Sequence, residues 1–311
     1  MLALNAGKHV LNEKPSADTA DETKEMYALA KRKGVVLLDA YHYRFHPALR
    51  RVKEIVGTEI GEVKKMEVRM VLGKGTIKDG DIRFDYDLGG GALMDLGCKS
   101  FFLIRHFFWL IFSLTLGYAM NCILYMTSTT PTSVTSATYE PHIPKAKAGD
   151  PNYIPNVDRK VTAALSLSNG GTASLDVDLS APHKYGIVPN FSIWFKVEGE
   201  RGSVEMNNFV MPTLYHSITV KIKDEKGKGS VRTEKAYKVK EEKEQKGEEW
   251  WSTYRYQLDA LVDRIRRREP ESWVEEEDCM ATMEWIEKIY EKIGIGARPR
   301  STFTLAEAAP Y

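Results

Sequence analysis

The first 58 residues contain short apolar runs separated by amphipathic segments. The pattern predicts, in order, a helix end over residues 2–6, a buried strand over 9–12, a helix over 18–33, a second buried strand over 35–40 and a helix over 47–56. Gly34 directly follows the second of these helices, at the position where a left-handed C-terminal cap favours glycine. Alternating helices and strands with short connections are typical of a doubly wound, Rossmann-like parallel sheet.

Beyond residue 58 the pattern changes to the polar–apolar alternation of strands that bury one face. The predicted elements are a strand over 63–72, hairpins over 160–180, 191–207 and 214–239, and closing helices over 252–268 and 275–293. The sequence therefore predicts an α/β fold in two parts. Residues 1–58 form an incomplete doubly wound parallel sheet. Residues 59–311 form an α/β domain with a large, mainly antiparallel open sheet, whose final helix can pack back on the first part.

The charge balance and the cysteines exclude several classes of protein. Lys and Arg number 44 and Asp and Glu number 43, a net charge of +1, whereas nucleic-acid binding needs a positive excess. The three cysteines, Cys98, Cys122 and Cys279, include no CxxC pair, so we predict neither a disulfide framework nor a metal site. The N-terminal residues lack the pattern of a signal peptide, and we therefore expect a cytoplasmic protein.

Three segments carry candidate chemistry at predicted strand ends or helix starts. Glu13-Lys14-Pro15 ends the first strand, and ligands of doubly wound sheets bind at the carboxyl ends of strands. Residues 41–47, YHYRFHP, follow the second strand and contain two histidines, which titrate readily near neutral pH. Residues 89–98, GGGALMDLGC, combine three glycines with Asp95 near a predicted helix start. Each segment taken alone also fits a purely structural turn.

Together these segments resemble the glucose–fructose oxidoreductase/inositol dehydrogenase (Gfo/Idh/MocA) family. The similarity lies in the order AGKHVLNEKP, YHYRFHP, GGGALMDLGC and, over residues 252–260, STYRYQLDA. The branch with the most similar motifs contains NADP-dependent D-xylose dehydrogenases and dimeric dihydrodiol dehydrogenases. Its members have a dinucleotide-binding domain and a C-terminal α/β domain. The resemblance thus implies hydride transfer from a sugar or diol carbon to a nicotinamide.

The resemblance also implies roles for the residues that match the family's motifs. The expected catalytic residues are Lys14, Tyr118 and Asp95. The expected contacts to NADP are Glu13, Lys14, Pro15 and Arg44. The candidates for the substrate pocket are His42, His46 and Tyr43. Because the family often pairs through its open sheet, we expect a homodimer with a small sugar or diol substrate, no nucleic-acid partner and no genuine membrane role.

The chain departs from the family pattern in two places. No strand followed by G-x-G-x-x-G precedes the first predicted strand, so the family's opening β-α-β and the residue that reads a 2′-phosphate are absent. We therefore expect weak binding of NADP(H), and NADP versus NAD stays open. The second departure is Lys99, which stands four residues after Asp95 where the branch has a tyrosine. Removing residues 99–117 joins Cys98 to Tyr118 and restores the motif.

Residues 99–117 are accordingly interpreted as an insertion inside one helix motif. They contain the start of an uncharged run, 107–126, which is long enough to span a membrane. Nineteen codons correspond to 57 nucleotides, and the codons here can encode splice-site and branch-point elements, so we interpret the insertion as a translated intron. A genuine membrane helix and a lineage-specific insertion are the alternatives. We expect Tyr118 not to lie within hydrogen-bond reach of Lys14 unless the insertion loops out and the flanking helix re-forms around it.

The sequence as a whole predicts an NADP-dependent oxidoreductase. Its reaction would be the oxidation of a pyranose sugar, such as D-xylose to D-xylonolactone, or of a trans-dihydrodiol, and we expect this chain to be inactive as it stands. Two alternatives stay open: a catalytically dead sheet domain that only dimerises, and a membrane-anchored protein that uses residues 107–126. The strands on both sides of that run belong to one predicted sheet, which argues against a membrane span.

Overall fold

The protein is described by a computed structural model over residues 1–94, 118–150, 155–223, 229–238 and 247–302. In these ranges the helices are Leu2–Asn5 (α1), Ala20–Lys33 (α2), Pro47–Thr58 (α3), Tyr118–Thr127 (α4), Thr253–Ile265 (α5) and Glu276–Ile293 (α6). The strands are Val10–Asn12 (β1), Leu37–Asp39 (β2), Val63–Gly73 (β3), Pro131–Pro141 (β4), Asp158–Leu167 (β5), Thr172–Ala181 (β6), Ser192–Gly199 (β7), Gly202–Asn207 (β8), Ser217–Lys223 (β9) and Gly229–Glu234 (β10). The predicted α/β class is confirmed.

The N-terminal part contains a two-stranded parallel sheet with α2 as the crossover helix. β1 and β2 pair from Val10 opposite Leu37 to Asn12 opposite Asp39. α2 ends at Gly34, whose φ of 64° is the left-handed conformation predicted for this cap. Both strands are shorter than the apolar runs that predicted them, since only three residues of each belong to the ladder.

The larger sheet has eight strands in the order β10-β9-β8-β7-β3-β6-β5-β4. All three predicted hairpins are present, as β5–β6, β7–β8 and β9–β10. Two features were not predicted. β3 pairs with β6 in parallel within the mainly antiparallel sheet that was predicted, and β4 adds an edge strand beside β5. The parallel pair joins strands far apart in the sequence, and no local turn signal can reveal such a pairing.

The helices pack on one face of this sheet. α4 contacts β3 and β6, α6 contacts β4, and α3 contacts β8. On the central strand, Met66, Val68 and Met70 are buried, whereas the alternate residues Lys65 and Glu67 are partly or fully exposed. The face opposite the helices is therefore open, as the sequence predicted. That this face forms a homodimer contact stays a prediction.

The C-terminal helix α6 returns to the N-terminal part of the chain. The backbone N–H of Ala20, at the start of α2, donates to Glu287 Oε1 at 2.8 Å. Arg44 forms an ion pair with Asp278 at 2.7 Å. Because α6 also packs on α4 and β4, it joins the N-terminal part of the chain to the larger sheet.

A buried ion pair fixes the triple-glycine turn. Arg298 Nη2 lies 2.7 Å from Asp158 Oδ1, and both side chains are fully buried. The same guanidinium donates to the carbonyl oxygen of Gly90 at 2.6 and 2.9 Å. Asp158 Oδ2 accepts from the backbone N–H of Leu93 at 2.8 Å. Because breaking a buried pair would leave an unpaired charge in the core, these contacts leave the turn little freedom.

Two predicted features lie outside the described residues: Asp95, and the interpreted insertion at residues 99–117. Only the end of the apolar run, within α4, is described. Over the ranges given above, no helix has the length and apolar character that a membrane crossing requires.

We expect Gly91→Ala to destabilise the protein. Gly91 has a φ of 140°, and an added Cβ would lie 2.2 Å from Asp158 Oδ1 and 2.4 Å from Arg298 Nη2. Overpacking of this kind costs about 1–3 kcal/mol, which urea unfolding will measure. The matched control is Gly57→Ala in α3, where no atom lies within 4 Å of the new Cβ and helix propensity favours alanine. Equal unfolding free energies for wild type and Gly91→Ala would contradict the tight packing of the turn.

Candidate active site

Lys14 lies at the carboxyl end of β1, where the doubly wound pattern places ligands. Its side chain is only 3% exposed. It lies on the wall of a cleft of about 460 Å³. The cleft lies between the loop after β1 and the triple-glycine turn, and its lining includes Lys14, Pro15, Ser16, Asp18, Leu88, Gly89 and Gly90. The structure therefore brings the first and third candidate segments together around one cleft.

Tyr118 is the first residue of α4 and packs directly on Lys14. The Lys14 ammonium lies 5.0 Å from the centroid of the Tyr118 ring. The Tyr118 hydroxyl donates to the carbonyl oxygen of Ala40, at the end of β2, at 3.5 Å. Burial raises the pKa of the Tyr118 hydroxyl well above its usual value, and the nearby Tyr254 and Glu13 act in the same direction. The Lys14 ammonium thus contacts the Tyr118 ring, while the expectation that the two side chains lie beyond hydrogen-bond reach stays a prediction.

His42 lies next to Tyr118 and is a neutral imidazole. Its ring stacks on Tyr254 with centroids 4.0 Å apart and lies 5.2 Å from the Tyr118 ring. Neither ring nitrogen has a hydrogen-bond partner in the described part of the chain. Burial, and secondly the positive charge of Lys14, lower the pKa of His42 to about 3. The imidazole is therefore uncharged at neutral pH, with one donor and one acceptor nitrogen available.

Tyr43 and Arg44 pack against residues of α4 and α6. The Tyr43 hydroxyl donates to Asn121 Oδ1 at 2.7 Å, and its ring meets the edge of Tyr118 at 5.2 Å. The Arg44 guanidinium, paired with Asp278, lies 4.2 Å over the ring of Tyr125. Arg44 is therefore held between α4 and α6 and does not line the cleft, and the structure does not bring it together with Lys14.

His46 also has a structural position, at the N-terminus of α3. Its Nδ1 accepts from the backbone N–H of Ala48 at 3.1 Å, which is an N-cap interaction. Its ring packs on His216, with centroids 5.8 Å apart. Burial, followed by the repulsion of His216, lowers the pKa of His46 to about 3. The sequence placed His46 in the substrate pocket, but its side chain contacts Ala48 of α3 and His216, the residue before β9.

Sequence reasoning did not assign a role to two residues of the site. Tyr254, at the start of α5, covers His42, although its motif was part of the resemblance. Asp39 is wholly buried at the end of β2 and accepts from Asn12 Nδ2 at 2.8 Å and from Ser16 Oγ. The sequence signal for Asp39 was an acidic residue inside an otherwise apolar run. A buried carboxylate needs hydrogen-bond partners, so an acid at such a position indicates a specific set of contacts. Glu13 is exposed beside this group, and Asp95 lies outside the described residues.

Two family models match the chain. The model described as "Oxidoreductase family, C-terminal alpha/beta domain" matches residues 52–297. The model described as "Oxidoreductase family, NAD-binding Rossmann fold" matches residues 1–41. The two matches cover the larger sheet with its helices and the β1–β2 sheet, respectively.

The chain is also similar to characterised relatives. D-xylose 1-dehydrogenase (NADP(+)) 2 of Haloferax volcanii is 27% identical over 299 residues, which are 95% of this chain and 74% of that protein. Trans-1,2-dihydrobenzene-1,2-diol dehydrogenase of Xenopus tropicalis is 34% identical over 99 residues, 32% of this chain and 29% of the relative. The first similarity extends over both sheets, and the second is local.

Solved structures share the fold. Aldose-aldose oxidoreductase from Caulobacter crescentus superimposes with a TM-score of 0.67 at 23% identity, covering 93% of this chain and 71% of that one. A 3-ketoreductase from Actinomadura kijaniata, solved with TDP-benzene and NADP, gives a TM-score of 0.66 at 19% identity, covering 94% and 73% of the two chains. At these identities the likeness concerns the fold alone.

We expect the structural histidine His46 to make stability sensitive to acid. The folded side chain stays neutral down to a pKa of about 3, whereas the unfolded one binds a proton near its ordinary pKa of about 6.5. The unfolding free energy therefore falls as pH drops below about 6.5, because the unfolded state binds more protons. His46→Asn keeps an N-cap acceptor and removes this titration.

Between about pH 6 and pH 5, the loss of unfolding free energy should be smaller in His46→Asn by about 1 kcal/mol. Urea unfolding at each pH measures this difference. His183→Asn serves as the control, since it removes an exposed imidazole outside the core. Parallel pH curves for wild type and His46→Asn would contradict the assignment.

Proposed function

Because the chain belongs to the Gfo/Idh/MocA oxidoreductase family, we propose that it is an NADP-dependent dehydrogenase of a pyranose sugar, such as D-xylose, or of a trans-dihydrodiol. Since Lys14 and Tyr118 remain in contact, we propose slow turnover for this chain in place of the inactivity expected from its sequence. The observation that carries the proposal is the contact of Lys14 with Tyr118, 5.0 Å apart beside the cleft. The extended similarity to an NADP-dependent D-xylose dehydrogenase supports the substrate class and the cofactor.

The residues around the cleft fit the reactive end of a nicotinamide cofactor. A volume of about 460 Å³ is within the usual range of ligand sites, which is about 300–1,000 Å³. Gly89 and Gly90 line it without side chains, so a ligand can approach their backbone closely. Lys14 and Pro15, on the opposite side, would contact the cofactor, and Glu13 adjoins them. When bound, NADP+ supplies the hydride acceptor.

Tyr118 and Lys14 would handle the proton of the reaction. Oxidation of a carbinol removes a hydride from carbon and a proton from oxygen. Burial raises the pKa of Tyr118, so its hydroxyl is protonated at neutral pH and can donate to a substrate carbonyl in the reductive direction. For oxidation, Tyr118 would act as the phenolate, which the adjacent Lys14 ammonium stabilises, and this phenolate accepts the substrate proton and becomes the neutral phenol. Asp95 stays a predicted orienting residue.

His42 and Tyr254 would bind the remainder of the substrate. The neutral His42 has two ring nitrogens without described partners, and a buried polar group of this kind calls for a partner such as a substrate hydroxyl. A sugar or diol carries a second hydroxyl next to the reacting one. The stacked Tyr254 ring fixes the orientation of the imidazole.

Tyr118→Phe should lower turnover about 10²–10⁴-fold, the contribution expected of a general acid/base. Lys14→Met should act in the same direction. The assay follows the absorbance of NADPH as it forms from D-xylose and from a trans-dihydrodiol. The NADP+ concentration is millimolar because weak binding is expected. Tyr125→Phe is the matched control, since it removes the hydroxyl of another tyrosine in the same helix.

The same assay on a form lacking residues 99–117 tests whether the insertion limits activity. In that form we expect higher turnover with the same dependence on Tyr118. Turnover that is equal in wild type and Tyr118→Phe would contradict the assignment of the acid/base.

A further inference from the structure

We infer that Asp39 is the positioning residue that holds Lys14 in place, by tying together both ends of the loop that carries it. This inference rests on the proposed function and adds to it a residue that does not touch the reacting atoms. Asp39 belongs to β2, whereas Lys14 follows β1.

The contacts form a closed ring around the loop. Glu13-Lys14-Pro15 lies between Asn12 and Ser16. Asn12 Nδ2 donates to Asp39 Oδ1 at 2.8 Å, and Ser16 Oγ donates to Asp39 Oδ2. Asn12 Nδ2 also donates to the carbonyl oxygen of Ser16 at 2.8 Å. Both ends of the loop are thus bound to one carboxylate and to each other.

Asp39 itself is held from two other helices, through its carboxylate and through its backbone carbonyl. Its Oδ2 accepts from the Tyr27 hydroxyl, in α2, at 3.0 Å. The backbone carbonyl of Asp39 accepts from Gln257 Nε2, in α5, at 3.3 Å. Asp39 is 0% exposed and stands opposite Asn12 in the β1–β2 ladder. The loop is therefore tied to a rigid point.

Burying an acidic side chain at this position costs desolvation free energy, and packing alone does not explain why an acid stands there. A buried carboxylate is tolerated only when its oxygens are hydrogen-bonded, and an apolar residue would fill the strand end equally well. Two of the donors that satisfy the carboxylate come from the two ends of the Lys14 loop. The other two donors, Tyr27 in α2 and Cys279 in α6, lie outside the loop, and Tyr27 provides a way to separate positioning from stability.

The position of the loop matters because Lys14 must stay against Tyr118. Its ammonium lies 5.0 Å from the Tyr118 ring centroid. A misplacement of about 1 Å in a reacting group can lower a rate about 10²-fold. The loop holding Lys14 lies outside the strand, so the ladder alone does not fix it.

The test compares two hydroxyl deletions at the same carboxylate oxygen. Ser16→Ala removes the donor on the loop, and Tyr27→Phe removes the donor on α2. Asp39→Asn is a second variant, and it alters the carboxylate that binds both ends of the loop. The first readout needs no cofactor or substrate. It is the rate at which formaldehyde and borohydride methylate Lys14, followed by mass spectrometry with the exposed Lys8 as internal reference.

Loss of one hydrogen bond should raise the labelling rate of Lys14 relative to Lys8 about five-fold in Ser16→Ala, and at least as much in Asp39→Asn. Tyr27→Phe should leave that ratio unchanged. In the NADPH assay, Ser16→Ala should lower kcat with little change in the KM for the sugar, since the substrate contacts remain. Tyr27→Phe should retain the wild-type kcat.

The inference is overturned if Lys14 labelling does not change in Ser16→Ala and Asp39→Asn, or if Tyr27→Phe raises it equally. Failure of the proposed function has a different signature. In that case no form, wild type included, reduces NADP+ with a sugar or diol, while the labelling difference between Ser16→Ala and Tyr27→Phe persists.

Discussion

The ion pair between Asp158 and Arg298 connects three segments that are far apart in the sequence. Asp158 begins β5, Arg298 follows α6, and both hold the triple-glycine turn, which is one wall of the cleft. The fully buried charges leave no alternative arrangement of low energy, since separating them would strand an unpaired charge in the core. On the other wall, Asp39 holds the loop of Lys14. A buried carboxylate therefore fixes each side of the cleft.

Between these walls, burial determines the protonation states of the site. It keeps His42 neutral and raises the pKa of the Tyr118 hydroxyl. The positive charge of Lys14 favours the same neutral state of His42. The arrangement suits a reaction in which Tyr118 exchanges a proton with the reacting oxygen of the substrate. The neutral His42 would bind a neighbouring polar group of the same substrate.

Local patterns in the sequence were sufficient for most of the fold, and they selected the Lys14 segment and the triple-glycine segment, which line one cleft. Apolar periodicity located the strands and helices, Gly34 was identified as a helix cap, and the strand end at Lys14 was identified as a ligand position. The remainder depends on contacts between distant residues. The parallel pairing of β3 with β6, and the pairing of Arg44 with Asp278, leave no trace in a local window. His46 was misplaced because a capping histidine and a pocket histidine have the same sequence signal.

The most direct test of hydride transfer follows the transferred atom. The chain is incubated at millimolar NADP+ with D-xylose deuterated at C1, and separately with a trans-dihydrodiol deuterated at its carbinol carbons. Mass spectrometry of the NADPH product then detects the label. We expect deuterium in the reduced nicotinamide with one of these substrates. Failure to form NADPH from either substrate, or formation of NADPH without deuterium, would contradict the proposed dehydrogenase activity.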